Sequence, residues 1–292
     1  MELYFIMNDS IKSHNDALMK VGYQILDECK DENINCMIWG GGAIYHLLEG
    51  QLDYRKMSDI EFLLPKKGDK QVQAMLEELG FIPFTSFNNM QNMYSMPRRE
   101  FYKPNRELTA TELDNLKGGR KKDIKDAEFQ KIEMFIDGIR MCWSFKLKEL
   151  PKNYIDSFIC PPGFQIALKS NPVHPDDFDL KDVQDIAQIL NGSRCQISTE
   201  DTIFSEPGLT DNMEYCIGTE IFEKLSKSKN KFPRVVITNL SEVLKYNGLT
   251  DEGKRKINTL IEFLTPIMEK DEGSRLGSLR KERPCRVDSR TR

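Results

Sequence analysis

Asp59 and Glu61 stand two apart in the segment Ser58-Asp59-Ile60-Glu61-Phe62-Leu63-Leu64, which Pro65 ends. Side chains two apart in an extended chain leave the same face, so both carboxylates are expected on one side of a strand. Held side by side they repel each other unless a cation sits between them. Upstream, Gly40, Gly41 and Gly42 break the chain between the apolar run Cys36–Trp39 and an expected helix, Ala43–Leu48. Glycines permit a tight turn there. They also leave N–H groups open at the positive end of the helix, a ready place for phosphate. A carboxylate pair beside a phosphate cradle is what magnesium-dependent phosphoryl or nucleotidyl transfer requires.

The elements that must position these residues follow from periodicity. Residues 36 to 64 read as strand, glycine turn, helix, charged loop with Asp53, Arg55 and Lys56, and strand. Residues 8 to 30 carry helical spacing through Ile11, Leu18, Val21 and Ile25. A further helix is expected from Gly68 to Gly80, then an edge strand at Phe81-Ile82-Pro83-Phe84, where proline is tolerated. Residues 85 to 128 read as a polar, irregular insertion with Arg98, Arg99, Lys103, Arg106 and the basic run at 117 to 122. Such an insertion is either a solvated excursion or a substrate-contacting arm. Lys131–Ile136 and Ile139–Phe145 read as a hairpin turning at Asp137-Gly138. Ile132, Met134 and Ile136 share one face of its first strand, which leaves Glu133 as a carboxylate in an apolar strand that needs a cation or donor partner.

Taken together, these segments resemble the nucleotidyltransferase superfold of the polymerase-beta-like kind, with Gly41, Gly42, Asp59 and Glu61 at its glycine turn and acidic strand. The segment Arg55-Lys56-Met57-Ser58-Asp59-Ile60-Glu61 is similar to the abortive-infection-type toxin branch, with Met57 at that branch's Thr/Ser position. The Ser-Asp-Ile-Glu wording is similar to aminoglycoside nucleotidyltransferases. Lys131 to Trp143, Pro161 to Ser170 with Lys169, and Lys181 to Ile186 look like successive lines of a bacterial and archaeal nucleotidyltransferase family. The resemblance spans roughly residues 36 to 190. It implies an α+β fold: a mixed sheet flanked by helices, with a helical C-terminal portion.

The same resemblance implies attack of an acceptor hydroxyl on the α-phosphate of a nucleoside triphosphate, with release of pyrophosphate. Asp59 and Glu61 would hold two magnesium ions. Glu133 would be the third acid, completing a metal site or acting as base. Gly41 and Gly42 would bind the phosphates, Ser58 would bond a phosphate or cap its strand, and Lys169 would neutralise the leaving triphosphate. Asp182 and Asp185 read as a charge effect at a helix start or as contacts to a lysine rather than as metal ligands. The acceptor is left open between an RNA or tRNA end, a small hydroxylated molecule and a protein, and the toxin branch implies an antitoxin partner. A catalytically silent nucleotide-binding module is the competing reading. A dinucleotide-binding oxidoreductase fails because Tyr45 stands where a third glycine belongs.

Composition sets wider bounds. The 292 residues are 39% hydrophobic and 30% charged with a net charge of −4, which suits a sizeable core and not a strongly basic nucleic-acid binder. Seven cysteines without a Cys-x-x-Cys pair point to reduced thiols, hence the cytoplasm, and three scattered histidines argue against zinc. No apolar run is long enough to span a membrane. The expected organisation is a core at 1–150, a mainly helical region at 151–270 with helices at 178–190, Met213–Leu225, Leu240–Tyr246 and Asp251–Met268, and an Arg-rich disordered tail at 271–292.

Overall fold

A computed structural model describes residues 2–52, 54–84, 98–140, 144–146, 158–171, 178–192, 195–198, 215–218 and 232–281. Helix α1 (Glu2–Asp31) leads into strand β1 (Met37–Trp39), helix α2 (Gly40–Leu47) and strand β2 (Ile60–Leu64). Helix α3 (Asp69–Glu78) and strands β3 (Ile82–Phe84) and β4 (Arg98–Pro104) follow, then helix α4 (Ala110–Lys117) and strand β5 (Phe129–Ile136). These strands form one mixed sheet in the order β1-β2-β5-β4-β3. The pair β2/β5 is parallel, and the pairs β1/β2, β4/β5 and β3/β4 are antiparallel. The expected α+β class and the edge position of β3 agree with this arrangement.

Alternation sorts the sheet into two chemically distinct faces. Ile38, Ile60, Phe62, Ile132, Met134 and Phe101 occupy one face, and all are buried. Helix α1 lies close against them, since a Cβ on Gly22 would stand 3.0 Å from Ile60 and 3.2 Å from Ile38. Burial of a side chain such as Phe62 contributes about 1.5–3 kcal/mol, so this face anchors the fold. Register partners share a face, and the opposite one carries Trp39, Glu61, Glu133 and Glu100 in a single cross-strand row.

Four expectations are corrected. Residues 98 to 104 are an internal strand of the sheet rather than irregular insertion, because each charged side chain of β4 meets a counter-charge or ring on its neighbours. Helix α4 also lies in that stretch, begun by a capping box between Thr109 and Glu112. The hairpin at Asp137-Gly138 does not form, because β2 and β4 already take both sides of β5. Asp137 adopts φ +60° and its carboxylate accepts from the Lys66 N–H at 2.7 Å, turning the chain out of the sheet. The chain then forms a separate antiparallel pair, β6 (Gly138–Arg140) and β7 (Ser144–Lys146).

Downstream lie helices α5 (Pro162–Lys169) and α6 (Leu180–Asn191), strands β8 (Cys195–Ser198) and β9 (Tyr215–Gly218), and helices α7 (Phe232–Val243) and α8 (Asp251–Lys281). The expected helix Met213–Leu225 is overturned where it is described, since Tyr215–Gly218 pairs in parallel with Cys195–Ser198. The rest of it lies outside the described residues. The tail expected from residue 271 is helical to Lys281, and residues 282–292 lie outside the described residues. The C-terminal region shares the core of the sheet. Ile38 donates its N–H to Phe158 and accepts from Cys160, and Ile166, Ile186 and Leu260 join the same buried cluster. Among the described residues no helix is long and apolar enough to cross a membrane.

Candidate functional site

The strand-to-helix corner stands at the edge of the polar face. Gly40 adopts φ +64°, and a Cβ there would lie 1.6 Å from Glu61 Oε2. The corner is held from the other side by Gln165 of α5, which accepts from the Gly40 N–H at 3.2 Å and donates to its carbonyl at 3.1 Å. The three glycines are therefore the first turn of α2 rather than a separate loop. Each has its own neighbour: Gly40 abuts Glu61, Gly41 faces the Arg55 guanidinium, and Gly42 packs against Ile38 and Met19. Only Gly40 needs the left-handed conformation. At Gly42 the missing side chain serves core packing, and its N–H belongs to the orphan donors of a helix start.

On the sheet, Glu61 of β2 and Glu133 of β5 are direct register partners, and Glu100 of β4 flanks Glu133. Asp59 joins them through Lys131, whose ammonium lies 3.3 Å from Asp59 Oδ2 and 3.5 Å from Glu100 Oε1 and also binds Glu133. Arg98 bridges Glu100 at 2.8 Å and Glu133. The Tyr102 hydroxyl donates to Glu100 at 3.0 Å, and the Ser58 hydroxyl donates to Asp59 at 2.8 Å. Ser58 thus holds a carboxylate and does not merely begin the strand. The residues missed from sequence are Glu100, Arg98 and Lys131; the alternation Arg98, Glu100, Tyr102 was the signal that could have found them.

Electrostatics divide the acids. Burial pushes Glu61 up to about 8, and the nearby Asp59 and Glu133 carboxylates add to the shift. Glu61 has no hydrogen-bond or ion-pair partner among the described residues. Burial also raises Glu133, while Arg98 and Lys131 pull the other way. The sign of the stability effect follows. Between the unfolded value of 4.5 and about 8, the folded chain holds a proton on Glu61 that the unfolded chain releases. Stability in chelator-treated buffer is therefore expected to fall as pH rises through that window. From this group alone the slope is at most about 1.4 kcal/mol per pH unit. Urea titrations from pH 5 to 8 should show Glu61→Gln with a flatter profile than the parent chain; parallel profiles would refute the assignment.

A second polar cluster lies under the corner. Asp185, fully buried, accepts from Tyr54 at 2.6 Å and from Arg55 Nε and Nη2 at 2.7 Å each, and pairs with Lys169 at 2.7 Å. Lys169 also donates to Asp182 at 2.9 Å. Burial disfavours the Asp185 anion, yet Lys169 and Arg55 outweigh it and hold the carboxyl below its usual range. Lys169, expected to neutralise a leaving triphosphate, is instead paired with Asp182 and Asp185, and its charge braces α5 against α6.

Hard carboxylate oxygens suit magnesium. Asp59 is already paired with Lys131, and Glu61 holds its proton up to about 8, so neither stands as a ready ligand. Glu133 does not fit as placed, because Lys131 and Arg98 both occupy it. Accordingly, no group of three acidic, His or Cys side chains among the described residues stands ready to hold a metal ion. Comparison of the chain with protein-family models, with curated proteins and with solved structures finds no match.

Proposed function

We propose that the polar face and its glycine corner form a nucleotidyl-transfer centre, which moves a nucleoside monophosphate from a triphosphate to an acceptor hydroxyl. The observation that carries this reading is the register of Glu61 with Glu133 on adjacent parallel strands, beside a glycine corner that touches Glu61. Transfer of this kind asks little covalent chemistry of a protein and depends on positioning and charge. The first-turn N–H groups of Gly41 and Gly42 would take triphosphate oxygens in this reading. Once released from Lys131 and from its proton respectively, Asp59 and Glu61 would hold magnesium, which would neutralise triphosphate charge. Arg98 and Lys131 add fixed positive charge on the same face.

The acceptor in this reading is a hydroxylated molecule, either an RNA end or a small compound. Four cations of residues 98 to 122 are engaged within the fold and give an RNA-contacting arm no support, while Lys117, Arg120 and Lys122 are exposed. Arg98 and Arg99 are bound to Glu133 and Asp69, Arg106 is bound to Glu112, and Lys121 lies over Tyr102 and Phe129. A second reading, a silent nucleotide-binding module, is favoured by one observation: Glu133 is locked between two cations. Incubation with each labelled triphosphate, magnesium and total RNA or lysate separates the two. Transfer by the parent chain and at least a ~1000-fold loss in Asp59→Ala is the expected result. Label transfer that survives Asp59→Ala refutes the mechanism. Measurable nucleotide binding without pyrophosphate release selects the silent module.

A further inference from the structure

We infer that Asn15 of α1 is a positioning residue for Asp59, acting through the backbone of residues 52–57; the inference rests on the reading of the face as a nucleotidyl-transfer centre. Residues 54 to 59 belong to no helix or strand, so their backbone groups must find partners elsewhere. Asn15 is fully buried and supplies three. Its amide nitrogen donates to the Leu52 carbonyl at 2.7 Å and to the Arg55 carbonyl at 3.0 Å, and its oxygen accepts from the Met57 N–H at 2.8 Å. The neighbouring His14 donates from Nε2 to the Met57 carbonyl at 2.9 Å.

One side chain thus fixes the chain at 52, 55 and 57 together, and an asparagine amide has both the donors and the acceptor to do so. Met57 is the point that matters for the site. Its side chain is buried and lies against the glycine corner, 3.6 Å from where a Cβ on Gly41 would stand. Only Ser58 separates it from Asp59, so a shift of the Met57 backbone carries to the carboxylate. The corner has its own support, since Gln165 holds Gly40 and Asp185 holds Arg55 beside Gly41. Loss of Asn15 should therefore displace Asp59 and leave the glycine corner in place.

Label transfer by the full chain, divided by the folded fraction from circular dichroism, tests this. In Asn15→Ala, kcat is expected to fall about 100-fold, the scale of an ångström-sized misplacement, while KM for the triphosphate stays close to that of the parent. Lys256→Met is the control. Its ammonium caps α6 through the carbonyls of Leu190 and Gly192, so this variant loses stability away from residues 52–59 and should keep the parent kcat. If Asn15→Ala does not fold, His14→Ala deletes only the bond to the Met57 carbonyl and carries the same test with a loss of about 10-fold. An unchanged kcat, a rise in KM alone, or an equal loss in Lys256→Met overturns the inference. No transfer by the parent chain overturns the reading of the centre, and the inference falls with it.

Discussion

Asp185→Ala is expected to lower the stability of the chain by about 3–5 kcal/mol, the range for breaking a buried ion pair from one side. The size follows from what is left behind. Asp185 is fully buried and takes both donors of the Arg55 guanidinium, the Tyr54 hydroxyl and the Lys169 ammonium. Alanine returns none of these contacts. Lys169 keeps Asp182, so the uncompensated charge is chiefly that of Arg55, which is only 11% exposed. A double substitution, Asp185→Ala with Arg55→Met, should therefore recover part of the loss, because the buried charge is removed with its partner. Urea unfolding at constant m value measures both effects. Strict additivity of the two substitutions would show that they do not act through one another. The sign with pH is also set. Asp185 is held below its usual value, so its contribution is present at neutral pH and is lost as acid protonates it. The network also has a consequence for the site, since Arg55 faces Gly41 and Lys169 ends the helix that carries Gln165.

How much of this could be read from residues alone depends on how local the cause is. Strand β2 and the apolar side of β5 are local: Ile60, Phe62, Ile132, Met134 and Ile136 declare their face by alternation, and that face places Glu61 and Glu133 opposite it. Helix α6 was similarly readable from spacing and from the helix-ending pair Asn191-Gly192, whereas α5 was expected only through the family resemblance. Strand β4 was not, because its pattern is written in charges. Arg98, Glu100 and Lys103 look solvated in isolation, and they become strand residues only once Glu133, Lys131 and the ring of Phe81 are beside them. The turn at Asp137 was recognised locally, yet its use was not. Whether a turn makes a hairpin depends on a free strand edge, and β4, distant in sequence, had taken that edge. The role of Lys131 was hidden for the same reason: its three acids come from residues 59, 100 and 133. Gly40 was seen as one of three equivalent glycines because φ does not show in a letter.

That inequivalence yields the sharpest test of the corner: Gly40→Ala, Gly41→Ala and Gly42→Ala should differ in kind. At Gly41 a Cβ would make ordinary contacts of 3.5 Å with Arg55, and alanine stiffens the helix start, so stability should change by less than about 1 kcal/mol with nucleotide binding retained. At Gly42 the new methyl would stand 2.8 Å from Ile38 and 3.2 Å from Met19 inside the core, with an overpacking cost of about 1–3 kcal/mol. At Gly40 two penalties combine. A non-glycine residue at φ +64° costs about 1–2 kcal/mol on its own. The methyl would also fall 1.6 Å from Glu61 Oε2, so the carboxylate must leave its place. The corner cannot move instead, because Gln165 grips both the N–H and the carbonyl of Gly40. Gly40→Ala is therefore expected to lose about 2–4 kcal/mol and, at temperatures where it is still folded, essentially all divalent-ion binding and label transfer. Gly42→Ala should lose stability with far less effect on ion binding. Gly40→Ala binding manganese as tightly as the parent would mean that Glu61 does not serve the ion, and the centre would have to be drawn without it.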